Sequence, residues 1–224
     1  MSAPRVALPI LLLFTLACGR ESADPMDRAS IERDLEERTV REVYEEAEQH
    51  PWSIPDDFRL TEAHIADFVK VAVLAEKIME VAGSRFEDQL DQASSEQDRF
   101  SRLGSAFSAL GSARQYGTAH VRAALTLGVN PHQQQWVGNQ IIAAARNAVR
   151  KWSYDDDIAR AQRARDEETN SYLRESKEAA VREAEQSLKD WQQERLGDAE
   201  LANVLLVEKH TGELSRFFPM LKRR

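Results

Sequence analysis

The stretch "TEAHIADFVKVAVLAEKIMEVAG", residues 61–83, decides the fold. Its apolar residues recur at helical spacing on two adjoining stripes, Ile65, Phe68, Val69 and Ala72 on one, Val71, Leu74, Ile78 and Val81 on the other. A helix apolar over so wide an arc must be covered on more than one side, which makes it the central helix of a bundle. Thr61 is placed to cap it, Leu60 and Ile65 have the spacing of a hydrophobic staple, and Gly83 is placed to end it.

The residues on either side extend the same pattern. Phe86, Leu90, Ala93, Phe100, Leu103, Phe107 and Leu110 continue at three, four or seven, so residues 84–115 read as one long helix or as two broken near Ser94 and Ser95. Gly104, Ser108, Gly111 and Ser112 would let another helix approach closely. A phosphate loop there would need a lysine-serine pair and a preceding strand, and neither is present. Residues 118–152 read as helix, turn, helix, with Gly128 closing the first and Asn130-Pro131 opening the second. Val137, Ile141, Ala144, Ala145, Ala148 and Val149 form the buried face of the second helix. Ser153 to Asp156 are placed to cap a further helix running to about Arg195. Asp156/Arg160, Glu178/Arg182 and Glu185/Lys189 support that helix, and Val181, Ala184, Leu188 and Trp191 give it a narrow apolar stripe. Its first half, "ARAQRARDEETNSY" at 159–172, has little to bury and is expected to project into solvent or meet a partner. After Gly197-Asp198 a last short helix is centred on Leu201, Val204 and Leu205, and Phe217 and Phe218 are expected to dock on the domain.

Before residue 61, Ile31, Leu35, Val43 and Ala47 predict one amphipathic helix from Ser30. "HPWSIPDDFRL", residues 50–60, breaks it with two prolines, and Trp52 and Ile54 are expected to pin that loop to the body. With only nine glycines and seven prolines in 224 residues, and no long β-branched alternation, the fold class is all-α. One bundle of about six or seven helices over residues 31–224 is the economical architecture.

The amino-terminal stretch has a different character. Arg5 precedes an uncharged run at residues 6–16, too short for a membrane-spanning helix, which needs about 20 residues. A basic start, a short apolar centre and a small residue before the cut describe a secretory signal peptide. At Ala17-Cys18-Gly19 the sequence "TLACG" resembles the lipobox of bacterial lipoprotein precursors. The resemblance covers only about the first 20 residues, with Thr15 where leucine is more usual and Leu16 where a smaller residue often stands. It implies cleavage between Ala17 and Cys18, a diacylglycerol group on the Cys18 sulfur, and acylation of the new amino terminus. Gly19, in place of Asp, implies sorting to the outer membrane, facing the periplasm, if the host has two membranes. Residues 1–17 are then a signal peptide, and residues 18–30, polar and without periodicity, are the lipidated terminus and a flexible tether.

Several acyl chains, at roughly 0.8 kcal/mol per buried methylene, make an effectively permanent anchor. Cys18 is the sole cysteine, so the exported domain must hold without a disulfide.

Charge narrows the function. The chain carries a net charge of −8, and removal of residues 1–17, with one Arg and no acid, takes it to −9. A nucleic-acid binder needs a basic face to neutralise phosphates, so no nucleic-acid partner is expected, and the pair of helices over 118–152 is a helical hairpin rather than a DNA reader. The carboxy-terminal "LKRR" reads as a solvated tail.

Catalytic chemistry has few candidates. His50, His64, His120, His132 and His210 lie far apart and no two have one-turn spacing, so no metal site is expected. His64 with Asp67 reads as a solvated pair at a helix start. Asp155, Asp156 and Asp157 read as acids meeting a helix dipole, since an EF-hand loop would need alternating oxygens and a glycine. Glu45, Glu46 and Glu48 read as a solvated face. No serine stands in a nucleophile elbow and no free thiol remains, so no catalytic residue and no cofactor is assigned.

The leading expectation is a lipid-anchored, non-catalytic interaction or accessory protein of the cell envelope. It meets the membrane through its lipid and reaches an envelope protein partner. The alternative is a bundle that binds a small ligand or a lipid, or, less favoured, an enzyme with dispersed residues. Replacing Cys18 by Ser should move the protein from the membrane pellet to the soluble fraction on fractionation of expressing cells. Unchanged membrane retention would refute the anchor.

Overall fold

The computed structural model describes residues 27–95 and 118–222, with backbone alone for 89–95. Among these residues there are eight α-helices and no strand. They are α1 (Arg28–Glu37), α2 (Val40–Glu48), α3 (Glu62–Ser95), α4 (Ala119–Thr126), α5 (Pro131–Asp166), α6 (Ser171–Arg195), α7 (Asp198–Lys209) and α8 (Thr211–Leu214), followed by a 3-10 turn at Pro219–Leu221. The protein is an all-α bundle. No helix among the described residues is long and apolar enough to cross a membrane.

The two stripes of α3 enter two separate cores. Ile65, Phe68 and Ala72 join Trp136, Val137, Ile141, Ala144, Ala145 and Ala148 of α5, Val204 and Val207 of α7, and Leu214 and Leu221, with Val69 against their edge. Val71, Leu74, Ala75, Ile78, Val81 and Ala82 join Ile31 and Leu35 of α1 and Ala119, Ala123 and Ala124 of α4. Burying an Ile, Leu or Val side chain is worth about 1.5–3 kcal/mol, so two full stripes make α3 the element that both cores need. The many alanines facing it let α4 and α5 pack close.

Helix boundaries differ from the sequence reading in three places. The expected single helix over 31–47 is two helices. Arg38 is extended, and Thr39 starts α2 with a capping box in which the Glu42 N–H donates to Thr39 Oγ1 at 3.3 Å and the Thr39 N–H to Glu42 Oε2 at 2.7 Å. All four apolar residues named for that segment are nevertheless buried. Gly83 does not end α3, which runs on to Ser95. A helix-interior glycine costs about 1 kcal/mol relative to alanine, a loss that the adjoining buried Val81 and Ala82 offset. Ser153 to Asp156 start no helix either, because α5 continues through them to Asp166. The break falls instead at Asn170, whose side chain accepts from the N–H groups of Tyr172 and Leu173. The small-residue region at 104–112 lies outside the described residues.

The loop at 50–60 is held partly as expected. Trp52 packs on Trp136 with ring centroids 5.5 Å apart, whereas Ile54 is exposed. Asn203, buried on α7, receives the Leu60 N–H at 2.7 Å and donates to the Phe58 carbonyl at 3.1 Å. It clasps the loop around Phe58, which has the left-handed φ of 53° that bulky residues rarely adopt. Val149, expected inside, is exposed because it lies about 100° around its helix from the buried Ala148, and Leu205 stands exposed in the same way beside the buried Val204.

Among the described residues the largest fully buried side chain is a charged one, Arg122 of α4. Its Nε donates to Thr118 Oγ1 at 3.0 Å, one terminal nitrogen to Asp34 Oδ2 at 2.6 Å and to the Asp34 carbonyl at 3.2 Å, and the other to the Arg38 carbonyl at 2.7 Å. Arg38 holds the second oxygen of Asp34 at 2.9 Å. The last turn of α1 has no basic residue of its own, so Arg122 supplies from another helix the positive charge and donors that a helix carboxyl end lacks. Arg122→Met should lower the urea-unfolding free energy by about 2 kcal/mol, because it removes one of the two guanidinium partners of Asp34 and leaves the Arg38 carbonyl without its donor. A loss under about 0.5 kcal/mol would show that the cluster does not hold α1.

Candidate functional site

The turn between α4 and α5 is built as the sequence predicts. Gly128 has a φ of 67°, the Gly128 N–H donates to Leu125, and the Val129 N–H reaches back to Ala124 at 2.9 Å, which is a Schellman closure. Asn130 then caps α5, accepting from the N–H groups of His132 and Gln133, and donates its amide to the His50 carbonyl at 2.8 Å. Pro131 fills the first helical position. This turn sets α4 and α5 against the end of α2.

Between these three helices and α3 lies an open cavity of about 440 Å³. Tyr44 and Ala47 of α2, Phe68 of α3, His120 and Val121 of α4, several residues of α5 from Pro131 to Ile142, and Phe218 line it. Phe68 is its most strongly fixed wall. Its ring stacks on Phe218 at 5.6 Å and meets Phe217 edge-on at 6.2 Å, so both carboxy-terminal phenylalanines dock as expected. Opposite, a Cβ on Gly138 would stand 3.3 Å from Phe68 Cε2, so a side chain there would press on that ring. Among the described residues lining the cavity none is Asp, Glu, Lys or Arg.

His120 and His132 line this one cavity although they stand twelve positions apart. The sequence reading separated them, and the available signal was that each sits just outside the Gly128 to Asn130 turn. Burial pushes the His120 imidazole below its ordinary value, with Glu76 acting the other way. His64 serves local structure. Its N–H donates to Thr61 Oγ1 and its Nδ1 accepts the Thr61 N–H, both at 3.2 Å, a reciprocal cap of the kind Glu usually makes, and its ring stands edge-on to Trp136 at 5.7 Å. It is half-buried rather than solvated, and Asp67 pairs with Lys70 at 3.5 Å instead.

Asp155 to Asp157 lie within α5, not at a helix start. Asp155 accepts from Lys151 at 3.0 Å, and Asp157 pairs with Arg160 in place of the expected Asp156. Burial opposes the Lys151 charge, but Asp155 and Glu208 outweigh it and hold the ammonium above its ordinary value. Glu45 and Glu46 pair with Arg41 and Arg38. Among the described residues no group of three or more His, Cys, Asp or Glu could hold a metal ion. Ala17 and Cys18 lie outside the described residues.

A second feature is an arm. Helices α5 and α6 pair antiparallel, with Tyr154 stacked on Trp191 at 5.5 Å, Arg150 over the same indole, and Lys177 bridged to Glu168 at 2.7 Å near the turn. At its base Trp152 donates to Glu208 of α7 at 2.8 Å. From residue 149 to residue 180 no residue is fully buried, although Lys151, Trp152, Tyr154, Ile158 and Arg165 are among those half-buried. Residues 171–176 are all exposed, with Tyr172 at 80% and Leu173 at 47%, a pair of large apolar side chains left in solvent at the turn.

Comparison of the chain with protein-family models, with curated proteins and with solved structures gives no match.

The histidines make stability depend on pH. Burial lowers the folded-state value of His64 first of all, while Asp67 and Asp57 raise it, and burial does the same at His120. The unfolded chain therefore takes up protons at imidazole more readily than the folded one, and stability falls as pH drops below the ordinary imidazole value of 6.5. Protonation of His64 at Nδ1 also removes the acceptor of its cap. The melting temperature should fall between pH 7 and pH 5, and His64→Gln, which retains an acceptor but does not titrate, should reduce the fall. An identical pH profile in that variant would exclude His64 as a source.

Proposed function

We propose that the chain is a lipid-anchored accessory protein of the cell envelope, attached through Cys18 and acting by holding another envelope protein rather than by catalysis. In a host with two membranes it stands on the outer membrane, facing the periplasm. The lipobox resemblance and the polar tether at 18–30 support the anchor. The arm is the observation that carries the interaction.

Helices that bury little are marginal in water, because each ordered residue costs about 1–2 kcal/mol of backbone entropy. An arm in which no residue from 149 to 180 is fully buried, yet which has its own Asn170 cap and a Lys177–Glu168 ion pair bracing its turn, is a costly way to end a bundle unless that surface meets something. Tyr172 and Leu173, apolar and adjacent on the outermost turn, fit a protein surface. The charges around them are of both signs, which suits a protein partner better than an anionic lipid face.

Crosslinking of the full chain in its own membranes should return a reproducible protein partner. Tyr172→Ala combined with Leu173→Ser should cut that crosslink at least tenfold, while stability stays within about 0.5 kcal/mol as for other surface changes. Absence of any reproducible partner, or a crosslink indifferent to the double substitution, would overturn the reading.

A further inference from the structure

We infer that the cavity between α2, α3, α4 and α5 is a binding site for an uncharged, largely apolar small molecule. The first observation is its size. At about 440 Å³ it lies within the range of small-molecule sites and well below what a folded partner would occupy.

The second is its chemistry. In a chain with 30% charged residues, a concave surface whose described lining residues carry no fixed charge stands apart. Among the described residues that line it, an anionic ligand would find no Lys or Arg and a cation no carboxylate. Phe68, Ile142 and Phe218 offer an apolar wall, and Tyr44, Gln134, Gln135 and Asn139 are uncharged polar side chains set beside it. His120 and His132 bring ring nitrogens to the same wall, and burial holds the His120 imidazole below its ordinary value.

The third is rigidity. Phe68 is held by Phe217 and by Phe218, which lines the cavity beside it, and Gly138 leaves its ring just the room it has. The turn through Gly128 and Asn130 fixes the two histidine-bearing helices. The wall is therefore formed before a ligand arrives and pays little ordering entropy on binding. This site is independent of the arm and of the partner proposed for it.

Benzophenone, an uncharged photoreactive probe, tests the site on the full chain in its own membranes. Irradiation followed by peptide mapping should place the label on peptides containing Val121, Ile142 or Phe218. Ile142→Trp, which fills the cavity, should reduce it at least fivefold, and Ile142→Ala, which enlarges it, should retain it. Loss of label in both variants, or label spread evenly over the chain, would overturn the site. Competition then tests the ligand class. 1-Dodecanol should displace the probe at a concentration at least tenfold lower than dodecanoate or dodecyltrimethylammonium, and equal or better displacement by either ion would overturn the uncharged class. A photoactivatable diacylglycerol supplied in the membrane reads the source. Cavity label from it assigns a membrane lipid, and cavity label from benzophenone alone assigns a water-borne molecule, both in support of the site.

Discussion

Everything in the bundle follows from the need of α3 to bury two apolar stripes at once. One helix face can be covered by one neighbour, but an arc that includes both Ile65-Phe68-Ala72 and Val71-Leu74-Ile78 needs two separate layers. α5, α7 and the carboxy-terminal turn supply one, and α1 and α4 the other. Phe68 stands at the margin of the first layer, where it is a core residue towards Phe217 and Phe218 and a cavity wall towards α2 and α4. Core and cavity therefore share one ring, and the cavity is as rigid as the packing behind it.

The second layer is thinner and is held by polar means. α1 contributes only Ile31 and Leu35 to its core, and alanines make up the α4 side. A guanidinium placed where α1 ends provides what so little apolar area does not. A buried charge is stabilising only when its hydrogen-bond donors are well used, and Arg122 meets a carboxylate, a hydroxyl and two helix-terminal carbonyls. The same contacts orient α4, and with it His120 and Val121 towards the cavity.

The two surfaces proposed for function lie on different parts of α5. Its first half, capped by Asn130, builds the cavity, and its second half, beyond the last buried residue Ala148, forms the arm with α6. Trp152 and Lys151, both bonded to Glu208, mark the boundary by tying α5 to α7 where the core stops. A single long helix thus connects a rigid concave site to a solvent-borne hairpin.

Local sequence determined the all-α class, the two stripes of α3, the closure at Gly128, the start at Asn130-Pro131, the docking of Phe217 and Phe218 and the poverty of burial over 159–172. These are set by periodicity, by cap chemistry and by the scarcity of glycine and proline, all within reach of a few neighbouring residues. Only the tertiary structure decided that α5 runs unbroken through Ser153 to Asp156, where Tyr154 and Lys151 find partners on α6 and α7 that outweigh a local cap. It alone placed Arg122 inside, since three of the four acceptors that satisfy it come from residues more than 80 positions away. The cavity was illegible for the same reason. His120 and His132 carry no motif, and what joins them is a turn geometry together with Tyr44 and Phe68 from other helices, contacts whose free energy no local spacing records.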